Sequence, residues 1–322
     1  MLLTSTLLED LRRAYPAAQI DFLTSPRAVP LLDGNPWPTT VMVPDQRGPL
    51  RAMRQIRARR YDWIIDSQTS PASARLVLLS GARRRLGWDI SGPWRVAYNE
   101  RISRKPGPRP RYVVRQRQEF LERLGVTPMA SRPKVYLAEA ERAAGAADLA
   151  ALEIPPGRPL VGLVLSAGSP YSRWPVDRFA QVARQLLEDG AVPVVLETPV
   201  DGDDAARMVA MAPRTCRLAV PELRRFLAVI AGLRVMVSGD TGPAHMAMAL
   251  DIPTVTLYGP SRAANWNPGL PSTVAVSSPR RRCDGCARGL RRNQRHTCMM
   301  EIEVTPVIEA IRRQLASPTI GT

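Results

Sequence analysis

The chain alternates short apolar runs with longer stretches in which apolar residues recur every three or four positions. The runs at 19–24 (QIDFLT), 41–43, 63–66 (WIID), 84–87, 160–165, 192–196, 235–237 and 254–258 read as strands. Several of them are apolar throughout, as expected of strands covered on both faces. The stretches at 7–15, 50–60, 75–79, 112–124, 138–152, 176–189, 203–211, 223–231, 243–250 and 305–315 read as helices, each with an apolar stripe. Strand and helix in alternation predict an α/β protein built on parallel sheets. The alternation breaks once, where the Ala-rich stretch 138–152 runs into Ile154-Pro155-Pro156-Gly157-Arg158-Pro159. Pro and Gly at that density mark a linker. We therefore expect a first domain at 1–153, a second domain at 158–304, and a closing helix and tail at 305–322. A length of 322 residues suits two domains of ordinary size. Two βαβ domains joined by a linker predict a cleft between them, a preferred place for ligands.

Composition narrows the partners. No run of eighteen apolar residues is present, and Glu9 and Asp10 argue against a secretory signal, so the expected location is cytoplasmic. The formal net charge is +16, and all but two of the 45 basic residues are arginine, the exceptions being Lys105 and Lys134. A GC-rich genome would favour that skew, but the charge also attracts polyanions, and guanidinium matches phosphate geometry. Aromatics make up 5% of the chain and no zinc-finger or homeodomain signature occurs, so a nucleic-acid partner is not expected. An anionic lipid or a phosphosugar is ranked first as partner, with a generic solvated basic surface close behind. Arg51, Arg54, Arg57, Arg59 and Arg60 are placed to meet it, or form a solvated helix face. Cys283, Cys286, His296 and Cys298 have a zinc-like flavour. His296 and Cys298 are only two apart, however, so reduced thiols in a surface loop are preferred and neither metal nor cofactor is expected.

Two segments carry the chemistry. In 235–260 (VMVSGDTGPAHMAMALDIPTVTLYGP) a buried strand ends at Ser238, Gly239 to Gly242 make a tight turn, and Pro243 opens a helix where proline is tolerated. Turn amides and helix N-terminus together suit a diphosphate. Asp240 would repel phosphate and fits a hydroxyl contact or loop orientation; Thr241 can donate a hydroxyl hydrogen bond, and His245 lies one turn into the helix. In 163–179 (LVLSAGSPYSRWPVDRF) a strand again enters a small-residue loop, Ser166-Ala167-Gly168-Ser169, followed by Ser172, Arg173 and Trp174. Each segment alone also fits an ordinary strand–turn–helix connection. Asp66, at the carboxyl end of its strand, stands where open α/β sheets bind ligands.

Taken together these segments resemble the donor-binding half of the ADP-heptose:lipopolysaccharide heptosyltransferase family, glycosyltransferase family 9, with its "GD-T-G--H-A-A-G-P" stretch and following "FGP". Residues 60–66 (RYDWIID) and 80–87 (SGARRRLG) resemble the family's "YD-VID…SGA--RIGF". The resemblance implies two Rossmann-like domains facing a cleft, the GT-B type of glycosyltransferase. It further implies an ADP-heptose-type donor in the C-terminal domain, an anionic glycolipid acceptor in the N-terminal domain with peripheral contact to the inner face of the cytoplasmic membrane, and cofactor-free displacement with inversion at the anomeric carbon. Donor contacts are then expected from Ala167, Gly168, Ser169, Ser172, Arg173, Asp240, Thr241, Gly242, Pro243 and His245, and acceptor contacts from Arg51, Arg54 and Asp66.

Three departures accompany the resemblance. The family opens with a strand running into "GD-LL-T-LL-AL", whose Asp is the expected general base; here Met1 falls just after that Asp, so no catalytic residue is assigned. One expectation is an upstream start, with a GTG valine codon read as Met1. The alternative is a catalytically inactive sugar-nucleotide-binding paralogue, whose domain would be poorly stable without its first parallel strand. The family's lysine before the "RWP" is Ser172 here, with Arg173 beside it, and one expected late cysteine is Arg291.

Overall fold

A computed structural model describes residues 1–45, 47–103, 111–152, 154–198, 201–279 and 297–317. The chain divides into two compact units, Met1–Pro133 and Lys134–Thr322. The Pro- and Gly-rich stretch at 154–159 thus lies inside the second unit. Helix Glu139–Ala150, which precedes that stretch, belongs to the second unit for a physical reason given below.

In the first unit, β1 (Asp21–Leu23) pairs in parallel with β2 (Thr40–Met42), and β3 (Trp63–Asp66), β4 (Arg84–Trp88) and β5 (Glu100–Ile102) form a separate parallel sheet. The same unit holds helices α1 (Thr6–Ala14), α2 (Pro49–Ala58), α3 (Pro71–Leu79) and α4 (Val113–Arg123), with α1 against α4, α2 against α3 and α3 against β3. Leu7, Leu86, Trp88, Phe120 and Leu121 fill one core cluster, and Ala74, Val77, Ala97 and Tyr98 a second. The buried Asp10 carboxylate accepts from the backbone amides of Met129 and Ala130, tying α1 to the chain beyond α4.

The second unit carries one six-stranded sheet, parallel throughout, in the order β11-β10-β9-β6-β7-β8. Its strands are β6 (Leu160–Val164), β7 (Val192–Glu197), β8 (Cys216–Ala219), β9 (Val235–Gly239), β10 (Thr254–Tyr258) and β11 (Thr273–Ser277). Strands β9 and β10 are buried at every position, which is why their sequence is apolar without alternation. Helices α6 (Val176–Glu188), α7 (Gly202–Met211) and the closing α11 (Val304–Ala316) contribute to the core cluster around Val161, Leu163, Phe179, Val237 and Ile311. α5 (Glu139–Ala150) lies on α8 (Leu223–Ala231), and α9 (Gly242–Ala249) also touches α8. Gly145 allows the approach of α5: a methyl there would sit 2.3 Å from the Ala228 carbonyl carbon. Arg224 pairs with Glu141 and Arg225 with Asp148 across the same contact. That close packing and those ion pairs hold α5 in the second unit.

Candidate functional site

The second unit starts at the middle of its sheet. From β6 the chain runs outward to β7 and β8, then returns to β9 beside β6 and runs outward the other way to β10 and β11. The carboxyl ends of β6 and β9 are therefore the topological switch point, where chains leave in opposite directions and open α/β sheets bind their ligands. Register fixes the two ends side by side, with Val164 opposite Ser238. The loops that sequence reading singled out are the ones that leave these two ends. They touch: a methyl on Gly239 would lie 3.3 Å from the Ser172 carbonyl oxygen.

The β9 loop leads straight into α9. Thr241 is the N-cap in extended conformation, Pro243 stands in the first turn, and no side chain caps the helix. The Thr241 hydroxyl lies 3.4 Å from the Gly239 carbonyl instead. Uncapped first-turn amides and the positive end of the helix dipole face the same side, an arrangement suited to an anion. One turn in, His245 Nε2 is 3.5 Å from Asp240 Oδ1, and both side chains are largely covered. The other ring nitrogen, Nδ1, is buried with no hydrogen-bond partner. Trp266, on α10 (Ala263–Trp266), lies beside the imidazole with ring centroids 6.0 Å apart.

The β6 loop holds Ala167, half-buried, and Gly168, exposed with open space where a side chain would project. The Ser169 hydroxyl accepts from the Tyr171 amide and starts a short 3-10 turn ending at Ser172. Arg173 leaves the turn toward α7, where a guanidinium nitrogen is 3.5 Å from Asp204; its Nε is buried without a partner. Trp174 turns inward and donates its indole N–H to the Ile302 carbonyl.

Sequence reading missed the residues that close the far side. Thr198, directly after β7, donates its hydroxyl to Asp201 at 2.7 Å and lies 3.3 Å from the Ser166 hydroxyl. Asp201 is buried, and its Oδ1 has no partner. Only the register of β7 against β6 brings these groups to the site, and no local motif announces it. Trp266 likewise sits in a four-residue helix with no motif of its own.

In the first unit the candidate acceptor residues stand differently. Arg51 and Arg54 are exposed on α2. Asp66 is buried at the carboxyl end of β3 with both oxygens occupied. Oδ1 accepts from the amides of Gln68 and Thr69, and Oδ2 accepts from the Tyr98 hydroxyl at 2.7 Å. Burial, and then the Asp66 carboxylate, push the Tyr98 hydroxyl well above its ordinary range. Thr69 is held in the left-handed region at φ 51°, which the two Asp66 bonds offset. Cys298 is buried, whereas Cys283, Cys286, Arg291 and His296 lie outside the described residues. Among the described residues no three His, Cys, Asp or Glu side chains are grouped to hold a metal ion, and no helix is long and apolar enough to cross a membrane.

The second unit thus defines a parallel α/β domain with an anion-suited pair of loops at its switch point. Comparison with known proteins gives it a family. The model of glycosyltransferase family 9 (heptosyltransferase) matches residues 50–296, and the chain belongs to that family. It is 27% identical over 282 residues to lipopolysaccharide heptosyltransferase 2 of Salmonella typhimurium, covering 81% of this chain and 80% of that protein. Its fold matches the glycosyl transferase family 9 structure from Veillonella parvula with a TM-score of 0.83 at 20% identity, over 98% of this chain and 93% of that one. It also matches E. coli ADP-heptose lps heptosyltransferase II with a TM-score of 0.78 at 23% identity, over 98% and 95%. The expected α/β architecture of heptosyltransferases with parallel sheets is therefore present.

Proposed function

We propose that the protein transfers a heptose-type sugar from an ADP-heptose-type donor to a lipopolysaccharide core or similar glycolipid, with inversion. The observation that carries this is the meeting of the two loops at the β6/β9 switch point in a chain of the heptosyltransferase family. The similarity to a Salmonella lipopolysaccharide heptosyltransferase supports it. In the reaction an acceptor hydroxyl attacks the anomeric carbon and releases its proton to solvent, the new C–O bond forms as the anomeric carbon–phosphate oxygen bond breaks, and ADP leaves with its charge increased. The uncapped start of α9, with Thr241, Gly242 and Pro243, stabilises that developing charge, helped by Arg173. Ala167, Gly168, Ser169 and Ser172 line the other side of the diphosphate. Asp240, steadied by His245, takes a donor hydroxyl. The acceptor binds on the first unit, with Arg51 and Arg54 toward its phosphates and Asp66 shaping the loop beyond β3, and the enzyme works at the inner face of the cytoplasmic membrane. The inactive-paralogue alternative draws no support from the relatives, which are named as heptosyltransferases.

The test is incubation with ADP-heptose and a deacylated lipopolysaccharide-core acceptor, with ADP release and acceptor mass as readouts. The expected outcome is one heptose added per ADP released. Turnover of ADP-glucose in preference to ADP-heptose, or no calorimetric binding of ADP, would overturn the reading.

A further inference from the structure

The loop after β6 carries three large side chains beyond Gly168, and the fold accounts for two of them. Trp174 is buried and donates to the Ile302 carbonyl, and Arg173 reaches Asp204 on α7. The third, Tyr171, is exposed. Every Trp, Tyr and Phe of the chain falls within the described residues, and Tyr171 is the one that is exposed, at 43%. A chain with 5% aromatics thus presents a single ring to solvent, and that ring stands on a loop of the switch point.

The backbone beneath the ring is fixed. Pro170 opens the short 3-10 turn Pro170–Ser172, and the Ser169 hydroxyl accepts from the Tyr171 amide. The Ser169 carbonyl accepts from the Ser172 amide at 3.0 Å, and the Pro170 carbonyl from the Arg173 amide at 3.3 Å. The turn is also seated against the β9 loop, since the Ser172 carbonyl oxygen is the atom that a methyl on Gly239 would meet at 3.3 Å. Tyr171 is the neighbour of Ser172 on one side of that contact, and Asp240 is the neighbour of Gly239 on the other. Ring and carboxylate therefore flank one meeting point of the two loops. Gly168, earlier in the same loop, adds no side chain to the open space around it.

We propose that the Tyr171 ring packs against the transferred sugar of the donor and sets the affinity for it. The proposal rests on the donor reading above, in which the diphosphate lies between the two loops and Asp240 takes a donor hydroxyl. A sugar held by Asp240 lies over the meeting point of the loops, and Tyr171 comes to it from the opposite loop. A sugar ring carries hydroxyls at its edge and C–H bonds on its faces. The carboxylate suits the first and an aromatic face the second, with the phenol at the ring's polar end. Adenine is the poorer occupant. The anomeric carbon has to stay open to the incoming acceptor, so the sugar lies at the rim among exposed residues, whereas a base is held most strongly between apolar walls away from water. A tyrosine on a fixed turn has only two side-chain torsions to order, which keeps the entropy lost on binding small.

The test is calorimetric titration of the full chain with ADP-heptose and with ADP, for the wild type, Tyr171→Ala and Tyr171→Phe, alongside melting temperatures and turnover. Tyr171→Ala should weaken ADP-heptose binding about tenfold. The KM for ADP-heptose should rise with it while kcat holds, as for a contact kept from ground state to transition state. ADP affinity should be unchanged, because ADP has no transferred sugar. Tyr171→Phe should keep most of the affinity, because the ring face remains, and neither variant should move the melting temperature, because the side chain is exposed. Equal weakening of ADP and ADP-heptose would assign the ring to the nucleotide, and unaltered binding of both would leave it without a ligand. A loss in Tyr171→Phe as large as in Tyr171→Ala would put the contact on the hydroxyl, and a lowered melting temperature would make the ring structural. Each of these overturns the proposal. Turnover separates it from the donor reading. If Tyr171→Ala transfers heptose with the wild-type KM, the ring's role alone falls; if the wild type binds ADP but not ADP-heptose, the donor reading falls and the ring's role with it.

Discussion

The loop after β3 in the first unit and the loops after β6 and β9 in the second begin alike, as parallel strands whose carboxyl ends deliver polar side chains. They differ in what becomes of those polar groups. Both Asp66 oxygens are engaged, by Gln68, Thr69 and Tyr98. In the second unit His245 Nδ1, Arg173 Nε and Asp201 Oδ1 are buried with no partner. A buried polar group without a hydrogen bond costs free energy, and a ligand that supplied the missing partner would recover it. The same position on the same kind of sheet is satisfied from within the fold in one unit and, on the proposed function, faces the donor in the other.

The largest expected effect tests the scaffold side. Asp66→Ala removes the acceptor from two amides and a buried hydroxyl at once, and should lower the stability of the first unit by about 2–4 kcal/mol. Tyr98→Phe should cost about 1 kcal/mol, since it removes one of those bonds. Thermal unfolding would report both, and calorimetric ADP affinity should be unmoved. Lost ADP affinity at unchanged stability would reverse the assignment of the two loops.

Next comes the open side. His245→Ala removes a nitrogen that has no partner and a ring that steadies Asp240. ADP-heptose kcat/KM should fall on the order of 10- to 100-fold, while the melting temperature holds or rises. A melting temperature that drops with kcat/KM unchanged would show the histidine to be scaffold like Asp66. Arg173→Ala should weaken ADP binding about tenfold. Asp204→Asn, which frees that guanidinium, should leave binding equal or tighter, and a weaker Kd would place Asp204 among the ligand contacts.

Much of this was legible in the sequence, and the failures have reasons. Strand β3 was bounded correctly because an apolar run of three ends in a charged residue, and the loops after β6 and β9 were visible because glycine, proline and small residues punctuate them. Strands β5, β8 and β11 went unread: each lies at a sheet edge, where partial exposure breaks the apolar run. The division between units escaped the composition rule because Pro155 and Pro156 sit between a helix and a strand of one unit. What holds α5 there is the space above Gly145 and two Arg–carboxylate pairs, contacts between residues about eighty positions apart that no local pattern encodes. The roles of Asp66 and Asp201 were hidden for the same reason, since a carboxylate's partners are set by tertiary packing.

The smallest effect confines the contrast to the carboxyl ends of the strands. Away from them the units should respond alike to acid. Arg84 holds the Glu100 carboxyl below its ordinary value in the first unit, and Arg224 does the same for Glu141 in the second, in both cases chiefly through side-chain hydrogen bonds. A carboxyl with a lowered folded-state pKa contributes stability above its unfolded value of 4.5, and that contribution is lost as pH falls through the folded value. Both pairs are partly open to solvent, so the effect is small. Denaturant unfolding should therefore give a stability that is flat near neutrality and declines in acid, with Glu100→Gln and Glu141→Gln each removing a similar share of the decline. If one variant abolished the acid response and the other left it whole, the units would differ in their surface electrostatics as well, and the contrast would no longer belong to the loops alone.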